Sequence, residues 1–380
     1  MWRTLHDVWQ RQATATHPRS PSDALFAGLC QGVSAYYGAA VRVRNLAYDR
    51  RWCRPAHLAC PVISVGNLEV GGTGKTACVE LIAAHLQRDG LRVAILSRGY
   101  GGRRRRPYCV EARDGSVWVD GQAAEASDGL ADEPQVLARH VPGVPVLVDP
   151  RRARTGRQAC EQFGAQVIVL DDGFQHRQLH RDCDIVLIPA RMPLGGWPLL
   201  PRGPMREPLS SLVRADMIVI TKVDESLALS AALQERLRAI NSTAHLATAV
   251  HAPVGVWDAS EDQFIGVDRL ERRRVWLLSS IGDPTGFEQT MTRGGATILG
   301  HSTFPDHYAY TAPDWQQASR AAASHHAETI VTTEKDWARL SSLIEPRAAS
   351  PVPLWVLRIQ MRLLSGEEGF YARLAAVCRR

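Results

Sequence analysis

The strongest chemical signal in this chain lies in residues 62–76, Val-Ile-Ser-Val-Gly-Asn-Leu-Glu-Val-Gly-Gly-Thr-Gly-Lys-Thr. A short β-branched run leads into a glycine-rich turn and then a helical pattern, with Val79, Ile82, Ala83 and Leu86 at i, i+3, i+4 and i+7 and Gly90 as its stop. A strand that feeds such a turn onto a helix start makes a phosphate cradle. Backbone N–H groups from Glu69, Val70, Gly71, Gly72, Thr73 and Gly74 converge on the anion, Lys75 adds a point charge for the outer phosphates, and the Thr76 hydroxyl can hold Mg²⁺. One position departs from the usual G-x-x-x-x-G-K-[ST] pattern, because Glu69 stands where the first glycine belongs. A hairpin turn that merely contains a lysine would not require strand, loop and amphipathic helix in this order.

Other residues could complete a phosphoryl-transfer site. Asp171-Asp172-Gly173 directly follows the apolar strand pattern at 166–170, where a carboxylate can hold Mg²⁺ or orient its water. Adjacent residues of an extended strand point to opposite sides, so one aspartate faces the metal while the other orients neighbours. Asp306-His307-Tyr308 sets a histidine beside a carboxylate, suited to a general base. Asp132-Glu133-Pro134 places two acids at an expected helix start, and Arg98, Arg202 and Arg206 sit in glycine- or proline-rich loops suited to gripping phosphate. Alone, each has a plainer reading: an Asp-Asp-Gly turn, one structural histidine of 13, a helix cap.

The background composition narrows the class. In 380 residues, 45% apolar and 22% charged content suits a globular chain with room for two domains. Eight cysteines show no C-x-x-C or Cys/His spacing, which argues against a zinc module or disulfide framework and favours a reducing compartment. Only Lys75, Lys222 and Lys335 are lysines, against 42 arginines. In such a chain lysine should persist where a compact, flexible ammonium does what a planar guanidinium cannot. The net charge of +6 includes the run Arg103 to Arg106, but no aromatic platform or helix-turn-helix accompanies it, so nucleic acid is not an expected partner.

These residues must be positioned by alternating strands and helices. Strands are expected at 62–66, 91–97, 144–148, 166–170, 184–188 and 217–221, and again at 275–279, 297–300, 329–333 and 354–358. Continuous apolar runs mark strands buried on both faces, so the fold class is α/β, doubly wound with a mostly parallel sheet, followed by a second, smaller α/β domain. The expected division is 1–60, 61–228 and 229–380. Ala24 to Val41 carries no formal charge and is followed by Arg42, Arg44, Arg50, Arg51 and Arg54. Gln31, Ser34 and three glycines make it weakly apolar, which suits an interfacial helix on an anionic membrane surface better than a span; a buried helix is the competing reading.

The ordered set of Gly66-Asn67 with the Gly-Gly-Thr-Gly-Lys-Thr loop, Ser97 to Gly102, Asp132-Glu133-Pro134, Asp171 to His176, Leu200 to Glu207, Phe304 to His307 and Thr333 to Asp336 resembles the tetraacyldisaccharide 4'-kinase family of lipid A biosynthesis. The resemblance implies a P-loop NTPase-like kinase at the cytoplasmic face of the bacterial inner membrane, peripheral or monotopic. It would move the γ-phosphate of ATP, with Mg²⁺, to the 4'-hydroxyl of a lipid A disaccharide precursor. By the same resemblance Asp132 and His307 form the dyad that takes the hydroxyl proton, and Asp172 with Thr76 positions Mg²⁺. Asp171 supports that shell, while Arg98, Glu133, Arg206 and Glu207 contact the substrate or the transferring phosphate. The alternative is a nucleotide switch, supported by Thr221-Lys222-Val223-Asp224, which resembles the guanine-reading [NT]-K-x-D motif.

Overall fold

Runs of β-branched and aliphatic residues too apolar to face water on either side become fully covered strands. Val62–Asn67, Val167–Asp171, Cys183–Pro189 and Met217–Thr221 are buried at every position. The computed structural model describes residues 21–104, 106–113, 116–124, 129–223, 227–261, 263–306, 308–341, 343–344 and 352–379. In chain order the elements are α1 (Pro21–Asp49), β1 (Val62–Asn67), α2 (Lys75–Arg88), β2 (Val93–Ser97), β3 (Tyr108–Arg113), β4 (Ser116–Val119), β5 (Gln122–Ala123), α3 (Asp132–His140), β6 (Val146–Val148), α4 (Arg152–Gln162), β7 (Val167–Asp171), β8 (Cys183–Pro189) and β9 (Met217–Thr221). There follow α5 (Leu227–Ile240), β10 (His245–Asp258), β11 (Gln263–Gly266), β12 (Arg274–Ser279), α6 (Pro284–Arg293), β13 (Thr297–Thr303), α7 (Ala312–Ser324), β14 (Thr329–Thr333), α8 (Glu334–Leu340), β15 (Leu354–Ser365) and α9 (Glu367–Cys378).

The chain forms two compact units, one made of residues up to 73 with 172–249 and 363–380, the other of 74–171 with 250–362. In the first, β1, β8, β9 and the start of β10 are parallel neighbours in that order. Their apolar side chains, with Leu68, Phe174, Met192, Met205 and Leu212 and with Leu233 and Leu237 one turn apart on α5, make its core. Helix α1 meets this body with polar and small groups. Ser34 Oγ donates to the Leu199 carbonyl at 2.9 Å, Tyr37 Oη to the Arg206 carbonyl at 3.0 Å, and Arg177 grips the Asn45 carbonyl at 3.0 Å and Asp49 at 2.7 Å.

In the second unit β7, β2 and β6 are parallel, and β3, β4 and β5 continue as an antiparallel meander. A parallel set β13-β12-β14-β15 carries the later strands. The mostly parallel α/β architecture expected from the apolar runs is what forms. The meander and the hairpin of β10 with β11 were not expected: β3, β4 and β5 are only two to six residues long, β3 ends in the charged run Glu111 to Arg113, and β10 contains Pro253.

A buried charge network ties three helices of this unit together. His140, at the end of α3, hydrogen-bonds Glu80 of α2 at 2.7 Å through Nδ1 and Glu334 of α8 at 2.5 Å through Nε2. Burial opposes a charge on this imidazole, but the two carboxylates outweigh it and raise its pKa to about 9. A raised pKa contributes stability that is complete below the usual value of 6.5 and is lost as pH rises through about 9. Replacing His140 by alanine is therefore expected to cost about 3 kcal/mol at pH 6. In thermal melts between pH 6 and 10, the gap between wild type and variant should narrow across pH 7 to 9.

Candidate active site

The phosphate loop begins where β1 ends, and its first half is tied down by its neighbours in the first unit. A Cβ on Gly66 would stand 2.6 Å from Phe174 Cβ and 2.8 Å from its backbone nitrogen, so only glycine lets the strand pass that residue. Asn67 Nδ2 donates to Thr73 Oγ1 across the loop at 2.7 Å, and Thr221 Oγ1 donates to the Thr73 carbonyl at 3.0 Å. Leu68 to Val70 run extended beside Pro204 to Arg206: Arg206 N donates to the Leu68 carbonyl at 2.7 Å, Val70 N to that of Pro204 at 2.8 Å, and Glu69 bridges Met205. This pairing explains the departure at Glu69. The backbone there is strand-like and does not enter the left-handed region, so it has no need of glycine.

The same pairing aims Arg206. Its guanidinium grips both Asp172 oxygens at 2.8 Å and also bonds the Asn67 side chain. Asp172 holds a left-handed backbone at φ 52°, which turns its carboxylate out of line with the strand that precedes it. Glu207, the next residue, is fully buried and taken up by Arg44 Nη2, Asn45 Nδ2 and Arg214 Nη2, each at 2.9 Å. Burial would raise its pKa, but Arg214 above all, then Asn45 and Arg44, lower it below the ordinary carboxylate value. Of the two neighbours expected to touch substrate, Arg206 reaches the loop, whereas Glu207 anchors α1.

The second half of the loop opens the other unit. Gly74 is left-handed at φ 92°, and any Cβ there would collide with the His251 ring. Helix α2 starts at Lys75 with no side-chain cap hydrogen bond at Gly74, the kind of helix start that suits an anion. Thr76 Oγ1 lies 3.4 Å from Glu133 Oε1, and the same oxygen accepts from Lys335 Nζ at 2.5 Å. Burial works against the Lys335 charge, yet Glu133 first, then Asp171 and Asp306, raise its pKa above the ordinary value. Asp171 is buried at the end of β7 and accepts from Ser97 Oγ at 3.2 Å. Asp132 and Glu133 form the acidic first turn of α3. Asp132 pairs with Arg339 at 3.1 Å.

The second unit thus gathers Lys75, Thr76, Asp132, Glu133, Asp171 and Lys335 on the starts of three helices and the end of one strand, and Asp172 with Arg206 is held in the first. Arg98 is exposed at the end of β2, and Arg202 is exposed in its loop. His307 lies outside the described residues, as do Arg105 of the arginine run and Asp224 of the candidate guanine-reading motif. Thr221 of that motif serves as a brace on the phosphate loop. Arg339 was missed from sequence because nothing but tertiary contact distinguishes it among 42 arginines. Lys335 was detectable through its rarity.

Removing the Glu207 carboxylate leaves Arg44 and Arg214 facing a buried gap. Glu207→Ala is expected to lower the free energy of unfolding in urea by about 3 kcal/mol and to make α1 open to limited proteolysis at lower temperature.

The family model described as "Tetraacyldisaccharide-1-P 4'-kinase" matches residues 27–379. A tetraacyldisaccharide 4'-kinase from Anaeromyxobacter dehalogenans (strain 2CP-C) is 40% identical over 378 residues, which is 98% of this chain and 94% of that protein. The corresponding protein of Geobacter sulfurreducens is 37% identical over 331 residues, 87% and 88% of the two chains. The crystal structure of LpxK from Aquifex aeolicus in complex with ATP superposes with a TM-score of 0.69 at 27% identity, covering 92% of this chain and 99% of that one. On these matches, and on a glycine-rich loop leading into an uncapped helix start, the chain belongs to the tetraacyldisaccharide-1-P 4'-kinase family.

Proposed function

We propose that this chain transfers the γ-phosphoryl group of ATP to the 4'-hydroxyl of a tetraacyldisaccharide 1-phosphate, the step that makes lipid IVA. As a member of its family it is a phosphotransferase with an alcohol acceptor. The observation that carries the site assignment is the uncapped start of α2, with Lys75 and Thr76 on it, Glu133 against Thr76 and Lys335 on that same carboxylate. ATP is the donor, in keeping with the ligand of the Aquifex structure. Amides of the 69–74 loop other than those of Val70 and Thr73, which are paired with the Pro204 and Gly71 carbonyls, and the Lys75 ammonium bind its phosphates. In the transfer an acceptor oxygen bonds to phosphorus as the bond to the ADP oxygen breaks. The hydroxyl proton passes to the pair Asp132 and His307.

Magnesium fits the donors present. Thr76 and Asp172 offer hard oxygens, with Asp171 in support, and an ion held through one or two protein oxygens, phosphate and water needs no larger cage. Among the described residues no group of three or more His, Cys, Asp or Glu has metal-site spacing. When bound, the ion would neutralise charge on the phosphates. Arg98, Glu133 and Arg206 serve the acceptor or the transferring phosphate, and Glu207 serves them through α1.

The acceptor is a lipid, and α1 is built for a lipid surface. Its polar and small residues face the protein, while Leu29, Val33, Tyr36, Val43 and Leu46 are exposed on another side. No helix among the described residues is long and apolar enough to cross a membrane. Peripheral attachment at the cytoplasmic face of the inner membrane, aided by Arg50, Arg51 and Arg54 against anionic lipid, accounts for both features.

Two experiments test this reading. With labelled ATP and a lipid A disaccharide precursor, wild type should form a phosphorylated lipid, and Lys75→Ala should reduce kcat at least about 100-fold with an unchanged circular dichroism spectrum. Transfer at the wild-type rate in that variant would place the phosphate cradle elsewhere. Replacing Leu29, Val33 and Tyr36 together by serine should reduce sedimentation with anionic vesicles several-fold while leaving the melting temperature within about 2 °C.

A further inference from the structure

We infer that Arg339 is a positioning residue that sets Asp132 for its part in the reaction, an assignment that rests on the kinase reading above. Nothing in the sequence separates this arginine from the others, yet its surroundings form a built socket. The side chain is 14% exposed, as is that of Asp132, whose Oδ2 it meets through Nε at 3.1 Å. Nη1 donates to Ser280 Oγ at 2.8 Å and to the Tyr308 carbonyl at 3.1 Å, and Nη2 donates to Asp336 Oδ1 at 3.0 Å. Nε also reaches the Lys335 carbonyl one turn back on α8, at 3.2 Å.

The socket is anchored by a carboxylate with no freedom of its own. Asp336 is fully buried. Its Oδ1 accepts from Ser280 N at 3.0 Å, Ser280 Oγ at 2.8 Å and Tyr310 Oη at 3.0 Å, and its Oδ2 accepts from Thr333 Oγ1 at 2.7 Å. A planar guanidinium pinned on one edge by such an anchor presents its remaining donors in fixed directions. One direction is occupied by Asp132 at the start of α3 and another by the Tyr308 carbonyl. The geometry therefore makes Arg339, itself fixed by Asp336, Ser280 and the Tyr308 carbonyl, the holder of Asp132 within one unit. Its donors are all directed at protein groups, so it acts through Asp132.

Lysine has the charge but not the fork, so it cannot hold Asp132, Asp336 and the Tyr308 carbonyl at once. The test is a double-mutant cycle on the full chain, measured as phosphoryl transfer from labelled ATP to the disaccharide precursor on vesicles. Arg339→Met is expected to lower kcat at least about 30-fold with the KM for ATP within about twofold of wild type, and Arg339→Lys at least about fivefold. Asp132→Asn combined with Arg339→Met should be no slower than Asp132→Asn alone, within about twofold, because the arginine acts only through that acid. Losses that multiply in the double variant would overturn the assignment, as would a kcat within threefold of wild type in Arg339→Met. Should the methionine variant fail to fold, a wild-type kcat in Arg339→Lys overturns it equally. A wild type that transfers nothing would instead remove the kinase reading itself, whereas an active wild type with an indifferent Arg339 removes only this proposal.

Discussion

A phosphate-binding helix start has to satisfy two opposed demands: its first amides must stay without protein partners, and the loop that presents them must not move. Left alone, unpartnered N–H groups would be met by a capping side chain or by water. Here Gly74 takes the capping position with a left-handed backbone and no side chain to offer, so α2 begins uncapped. Rigidity is supplied from outside the helix. Asn67 and Thr221 fasten Thr73, and a short strand pairing fastens Leu68 to Val70.

Buried charge is the second organising theme, and the residue types divide the work by shape. Arginine is used where several acceptors must be held in a plane: Arg206 on both Asp172 oxygens and Asn67, Arg339 on Asp132, Asp336, Ser280 and the Tyr308 carbonyl. Lysine is used where a small ammonium must fit, as Lys335 does against the carboxylate that also meets Thr76. In each case the acid sits at an element's end, where a few ångströms decide what it can reach. Buried charges of this kind stabilise little in net terms, since desolvation offsets most of the attraction, but removing one partner is costly. That asymmetry fixes geometry more than it adds stability.

Helix α1 reverses the usual pattern for a helix on a globular protein. Hydrogen-bonding groups such as Ser34, Tyr37, Arg44 and Asn45 face the protein, and large apolar side chains face out. An outward apolar stripe of this kind is stable only if something apolar covers it. The Glu207 carboxylate joins the two ends of that logic, because its neighbour Arg206 reaches the phosphate loop while Glu207 itself holds the helix.

The mostly parallel architecture, the phosphate loop and the acids after β7 and at the start of α3 were determined by local sequence. Periodicity fixes which strands are covered on both faces, and a glycine-rich turn between strand and helix has few other uses. The antiparallel meander and the long β10 escaped notice because strands of two to six residues, or a proline within a strand, carry no such signal. Tertiary structure alone decided why Glu69 can replace a glycine, that Glu207 anchors a helix, that Thr221 braces the loop, and which of 42 arginines meets Asp132. Those outcomes depend on partners more than a hundred residues away in sequence, and a charge does not record in its own neighbourhood which opposite charge will reach it.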